Sequence, residues 1–165
     1  MFRELRRKNQ ALSPEECFRI LQETTCGVMA LQGDAGYPYA VPLNHACMDG
    51  KLYFHGAVQG HKIDAIARCD KASYCVTEAS DVDSENYSTR FRSVIAFGRV
   101  RVVQEDALKR RALKAIGNRF CPDTPEKTEA EIAGAIGHTA VLEFSMEHIS
   151  GKESRALAEE RRAGK

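Results

Sequence analysis

Short apolar runs separated by turn-forming residues dominate this chain, and runs of this length predict strands more often than helices. Asp49-Gly50 stands between two such runs and is a strong signal of a two-residue hairpin. Pro38 and Pro42 interrupt another run, which we expect at a sheet edge or a bulge because proline cannot donate to a ladder. The six predicted strands are residues 26–31, 37–48, 51–56, 72–79, 91–103 and 139–152.

Helix signals occur between and beside these strands. The clearest is Ser13-Pro14-Glu15-Glu16, where the serine can cap, the proline suits the first helical position and Glu16 completes a capping box. The first predicted helix begins there and ends near residue 24 or 25. Three further helices are predicted over residues 61–69, 104–120 and 126–137. The polar residues 80–90 predict a loop, and the charged tail after residue 152 predicts a frayed or weakly helical end.

This order of elements predicts a mostly β fold, a six-stranded antiparallel barrel with helices packed outside it, rather than alternating βαβ units. A length of 165 residues without an obvious linker predicts one domain over residues 1–165, with its core at about 13–152.

Composition and charge exclude several classes of protein. The formal net charge of +1 gives no electrostatic reason to expect a nucleic-acid or membrane partner. No apolar run approaches the roughly 20 residues that cross a bilayer, and the basic N-terminus, which we expect to be a solvated arm, lacks the apolar stretch of a secretion signal. We therefore expect a cytoplasmic location, where the six cysteines would be reduced thiols. They form no C-x-x-C pair, so we expect no metal site.

The segment LYFHGAVQGHK, residues 52–62, carries the most chemistry. It is predicted to leave a strand through a glycine-bounded loop and to open a helix with His61 and Lys62. The helix dipole disfavours cations in a first turn, so the pair is better explained if an anion such as a phosphate binds there. Gly60 lets backbone N–H groups approach such a ligand. The alternative interpretation is a helix that simply begins with two solvated polar residues.

A longer segment, YPYAVPLNHACMDGKLYFHGAVQGHKIDAI, resembles the flavin-binding hairpin of the pyridoxamine 5′-phosphate oxidase-like family, whose fold is the FMN-binding split barrel. RSVIAFGRVRVV resembles the family's next flavin-contacting strand. The start FRELRRKNQALSPEE and the finish AVLEFSMEHISGK fit the 5-nitroimidazole reductase (Nim-type) branch, so the resemblance covers nearly the whole chain.

The resemblance implies a set of site residues. Lys62 and His61 would hold the FMN phosphate, with His61 in place of the arginine that is more usual in the family; this lowers bidentate binding and makes phosphate affinity partly pH-dependent. Asn44 and its neighbours would line the edge of the isoalloxazine ring. The residues assigned to the cofactor site are Pro42, Leu43, Asn44, Phe54, His55, His61, Lys62, Ser93 and Val94.

His55 is the candidate catalytic residue, because a histidine in this strand lies beside the flavin in Nim-type proteins and suits proton delivery near neutral pH. The alternative is a strand-end histidine bonded to backbone. His45 faces either the core or the ligand. The group of His45, Cys47 and His55 lacks the spacing of metal ligands, so we expect no metal there.

The resemblance implies an FMN-dependent oxidoreductase that takes a hydride from NAD(P)H and reduces a small organic acceptor, such as the nitro group of a nitroimidazole. The chain has no G-x-G-x-x-G fingerprint, so the nicotinamide would dock transiently on the flavin. Family members are homodimers with flavin at the interface, so the partner would donate Tyr87, Phe91 or His138. The alternatives are a non-enzymatic FMN-binding or redox-sensing protein, and a relative that binds haem or a deazaflavin.

Overall fold

The computed structural model describes residues 2–164, apart from the side chains of residues 79 and 80. Every strand pairing in it is antiparallel. The strands are β1 Cys26–Gln32, β2 Pro38–Asn44, β3 Ala46–Met48, β4 Lys51–Ala57, β5 Lys71–Asp83, β6 Ser88–Val102 and β7 Thr139–Glu153. The helices are α1 Pro14–Glu23, α2 His61–Arg68, α3 Asp106–Phe120, α4 Pro125–Ala135 and α5 Arg155–Arg162.

The strands form one sheet in the order β2-β1-β5-β6-β7-β4-β3. Its two edge strands, β2 and β3, follow each other in the chain and are separated only by His45. The sheet therefore curls until its first and last strands meet at this residue, which gives the expected antiparallel split barrel. The prediction of one strand over 37–48 is wrong, because its two halves pair with opposite ends of the sheet. That division gives seven strands instead of six.

His45 fixes the point where the barrel closes. Its ring is fully buried; Nε2 lies 2.6 Å from the Leu21 carbonyl of α1, and Nδ1 lies 2.9 Å from the Tyr74 hydroxyl. That hydroxyl also lies 2.8 Å from the Leu43 carbonyl in β2. Burial lowers the pKa of His45, which keeps the ring neutral, and Nε2 donates to the Leu21 carbonyl because that oxygen can only accept. The single proton of the Tyr74 hydroxyl is then shared between Nδ1 of His45 and the Leu43 carbonyl. Of the two placements that the sequence left open, the structure selects the core.

Two apolar cores follow from the alternation of side chains along the strands. The inward faces and α1 form the barrel core, whose largest members include Tyr74, Phe54 and Phe144. The outward faces of β4 and β7 pack beneath α3 and α4 in a second cluster around Tyr53 and Val141. The helical hairpin α3–α4 is thus fastened to the outside of the barrel.

The predictions from local signals are confirmed at the capping box and at the proline-containing strand, but not at residues 80–90. Both halves of the capping box are formed at Ser13 and Glu16, and the proline-containing strand β2 lies at an edge, as predicted. The loop predicted at 80–90 is wrong, since β5 and β6 continue as a paired ribbon to a turn at 84–87.

The charged tail forms helix α5. Ser154 caps its first turn, Ala158 is buried, and Arg90 binds Glu160 through two hydrogen bonds. All six cysteines are free thiols. Within residues 2–164, no helix is both long and apolar enough to cross a membrane.

Candidate functional site

The N-terminus of α2 is open. Gly60 precedes the helix with φ +119°, a conformation that glycine adopts readily and L side chains rarely do, and no heavy atom lies within 4 Å of the position of its missing Cβ. No side chain caps this end. The first N–H groups of a helix have no partner within it, so those of His61 and Lys62 are left for a ligand or water.

His61 is held by residues that the sequence did not point to. Its ring stacks on Tyr39 with the centroids 4.0 Å apart, and its Nε2 lies 3.3 Å from an oxygen of Asp34. Asp34 also binds Arg68 at the other end of α2, at 2.6 Å. Asp34 comes from the β1–β2 connection and Tyr39 from β2, and only the fold brings them to α2. The histidine is therefore oriented through one nitrogen, which leaves Nδ1 for a ligand.

Lys62 is the free cation of the site. Within the described part of the chain it forms no ion pair or hydrogen bond. Its ammonium passes over Gly56 at the end of β4, since a Cβ on that glycine would lie 2.9 Å from Nζ. A lysine without a carboxylate partner, beside an uncapped helix N-terminus, fits a phosphate group.

His55 projects from the outer face of β4, next to the mouth of a cavity under the helical hairpin. This cavity has a volume of about 280 Å³ and mostly apolar walls from α3 and α4, including Leu113, Ile116 and Ile132. The position suits a histidine that serves a small bound molecule. The helical periodicity of the sequence predicted which side of α3 faces inward. Only the packing of α4 against α3 shows that the two helices enclose a cavity.

The other residues predicted for the cofactor site fall into two groups, those whose side chains face the barrel core and those exposed on the outer face. Phe54 and Val94 are fully buried in the barrel core, so only their backbone is available to a ligand. Leu43 also packs towards the core, whereas Pro42 and Asn44 lie exposed on the outer face of β2.

Ser93 lies on β6, which is separated from β2 by β1 and β5, about 14 Å at the usual strand spacing. A single chain therefore does not bring Ser93 together with Asn44.

Among the residues expected from a partner, Tyr87 is 98% exposed at the turn between β5 and β6, and His138 is exposed before β7. Phe91 is half-buried beneath Lys152. No group of metal-ligating side chains occurs among the described residues.

A sequence model of the pyridoxamine 5′-phosphate oxidase family matches residues 13–153. The chain belongs to this family. The match includes every residue assigned to the site, from Pro42 to Val94. A comparison with curated proteins finds no match.

Solved structures of several family-like proteins share the fold. A protein assigned to 5-nitroimidazole antibiotic resistance in Bacteroides thetaiotaomicron is 19% identical, with a TM-score of 0.72 over 87% of this chain and 86% of the other. The FAD and heme binding protein of Mycobacterium smegmatis is 27% identical, with a TM-score of 0.76 over 90% and 74%. The flavocytochrome Anf3 of Azotobacter vinelandii is 22% identical, with a TM-score of 0.79 over 92% and 72%.

Proposed function

We propose that this protein is an FMN-dependent oxidoreductase that uses NAD(P)H to reduce a small organic acceptor. The observation that carries the proposal is the free ammonium of Lys62 beside the open N-terminus of α2. Charged donors and oriented N–H groups together bind a phosphate more strongly than either does alone. His61 adds a ring nitrogen to the same phosphate site.

The chain's own residues then position the cofactor and its substrate. A bound flavin supplies hydride and electron transfer, and the protein supplies orientation and protons. Pro42, Leu43 and Asn44 line the edge of the ring, through their backbone and the Asn44 amide. His55 delivers a proton to the acceptor, which occupies the apolar cavity beneath α3 and α4.

A compact acceptor suits this cavity, whose volume of about 280 Å³ lies at the lower end of small-molecule sites. The nitro group of a nitroimidazole is a candidate, supported by the similarity to the Bacteroides protein. The free thiols support a reducing compartment, so we place the activity in the cytoplasm.

We further propose that the working unit is a homodimer with the flavin at its interface. Ser93 and Asn44 lie on different parts of the outer sheet face. Two copies that pack through this face would place Ser93 of one protomer at the cofactor site of the other.

A flavin other than FMN is the second candidate, favoured by the 27% identity to a FAD and heme binding protein. The cofactor released from the purified protein by heat identifies it by its mass. Released FMN would support the proposal. Released FAD would mean that FAD, and not FMN, is the cofactor of the proposed oxidoreductase. A haem or deazaflavin absorption spectrum, without FMN, overturns it.

The phosphate site is tested by comparing FMN with riboflavin, which has the same ring without the phosphate. Lys62→Ala is expected to weaken FMN binding about 10–100-fold, because a charge-assisted hydrogen bond contributes about 1.5–3 kcal/mol. Riboflavin binding should stay the same. Fluorescence quenching during titration of the apoprotein measures both. Lys71→Ala removes an exposed lysine from β5 and is the control. Equal losses for FMN and riboflavin would contradict the phosphate assignment.

The enzymatic part is tested by NADPH oxidation with a nitroimidazole or another small acceptor. His55→Gln keeps the size and hydrogen bonding of the side chain but cannot carry a proton at neutral pH. We expect it to lower kcat about 10²-fold or more and to weaken FMN binding much less, because it changes only one of several cofactor contacts. A wild-type holoprotein whose flavin NADPH does not reduce would support the non-enzymatic alternative instead.

A further inference from the structure

The N-terminal arm, residues 2–10, forms one wall of a second cavity far larger than the one beside His55. It has a volume of about 730 Å³, and the outer faces of β6 and β7 form the opposite wall. This size falls within the range of sites for cofactors and other small molecules. The predicted solvated arm thus lies against the barrel.

The arm is fastened at both ends. Phe2 stacks on His148 of β7 with the ring centroids 4.7 Å apart. At the other end Gln10 is buried, and Ala11 pairs with Lys152 of β7. A segment that is attached at two points can present its side chains at fixed positions.

The charges on this cavity are unlike those elsewhere on the surface. Most arginines of the protein bind carboxylates, as Arg99 and Arg101 do. The cavity instead contains four cations that form no ion pair with any described residue: Arg3, Arg6, Arg7 and Lys152. Its one carboxylate, Glu4, is neutralised by Lys8 at 2.7 Å, and its remaining cation, Arg155, binds Glu159. The cavity therefore has an uncompensated positive charge.

The wall opposite the arm is apolar and partly aromatic where it is formed by β6. Phe91, Ile95 and Phe97 project from the outer face of β6. Lys152 lies over the Phe91 ring, 5.3 Å from its centroid. Guanidinium groups bind phosphates through paired hydrogen bonds, and aromatic side chains stack on planar bases. A flat base carrying several phosphates matches this combination.

In the proposed dimer, the cavity of one protomer borders the flavin site of the other, because it lies beside Ser93. Lys152 is the direct strand partner of Ser93, and Ile95 lies two residues further along the same face of β6. We infer that this cavity binds the adenosine half of the nicotinamide donor, and that the arm arginines recognise the additional 2′-phosphate of NADPH. The choice of ligand rests on the proposed reductase function. The cavity supplies recognition of the dinucleotide phosphates, for which the chain has no G-x-G-x-x-G loop.

Adenosine 2′,5′-bisphosphate is the probe, and calorimetry on the purified protein measures its binding. The double variant Arg6→Ala/Arg7→Ala is expected to weaken this binding at least tenfold. Lys71→Ala/Arg110→Ala removes the same charge from exposed positions elsewhere and should change it less than twofold. Adenosine 5′-monophosphate, with one phosphate fewer, should bind more weakly than the bisphosphate. In turnover, the arm variant should raise KM for NADPH and leave KM for NADH and kcat unchanged.

Three results would overturn the inference: no binding of the bisphosphate to the wild type at millimolar concentration, equal losses in the two double variants, or equal binding of the monophosphate. Failure of the proposed function is seen separately, in the absence of FMN binding or of flavin reduction. A protein that binds FMN but not the bisphosphate refutes only the nucleotide cavity.

Discussion

At the scale of single residues, Glu143 illustrates how the fold makes a buried charge stable. Its side chain is 5% exposed, and it accepts hydrogen bonds from the Tyr53 hydroxyl at 2.8 Å and from Arg101 Nε at 2.8 Å, with Lys51 Nζ at 3.1 Å. Burial alone would raise the pKa of the carboxyl. The three donors outweigh it and lower the pKa of Glu143 to about 2.

Glu143→Gln is expected to lower the free energy of unfolding at pH 7 by about 3 kcal/mol, because each unit of pKa shift corresponds to about 1.4 kcal/mol. The pKa in the folded protein lies below the ordinary value of 4.5, so this stability is fully present above that pH and is lost as the pH falls towards 2. Urea denaturation at pH 7 and at pH 3 measures the difference, which should be smaller at pH 3.

Glu105→Gln is the matched control, because Glu105 binds the same Arg101 from an exposed position. It should change the free energy of unfolding far less than Glu143→Gln does, because a solvent-exposed ion pair contributes little to stability. A loss for Glu143→Gln that stays the same from pH 7 to pH 3 would show that packing, and not the charge, is responsible.

The sequence located single residues within their elements where the signal is local. His61 and Lys62 stood out because two cations open a helix, and both lie at the uncapped terminus. The role of His45 was left open, because its partners Leu21 and Tyr74 lie 24 and 29 residues away. No short-range pattern contains that information.

At the scale of elements, local signals again gave the dependable predictions. The capping box at Ser13 and the Asp49-Gly50 hairpin need only a few neighbouring residues, and both formed. The sequence from residue 81 to residue 90 is mostly polar and shows no apolar alternation, so it is typical of a loop although its backbone forms a paired ribbon. Its turn did carry a signal, since the Asp83 carboxylate accepts from the backbone N–H of Asn86 at 3.1 Å.

At the scale of the whole molecule, the outer face of the sheet is unusually apolar for an exposed surface. Strand pairing places Pro42, Val28 and Cys75 side by side in one row across three strands, and the row ends at Ile95, on the edge of the proposed nucleotide cavity. Val28 is 41% exposed. An apolar stripe of this kind is typical of a surface that another subunit covers. A second copy of the chain is the partner that the proposed shared flavin site requires.

Val28→Glu is therefore expected to convert the proposed dimer into a monomer, because two charges would be buried near each other without partners. Light scattering coupled to gel filtration measures the mass, and FMN titration of the same samples should show weaker binding if the interface completes the site. Phe18→Glu on α1 changes a side chain of similar exposure, 39%, and should leave the dimer intact. A wild-type monomer that binds FMN tightly would contradict the shared site, since one chain would then suffice.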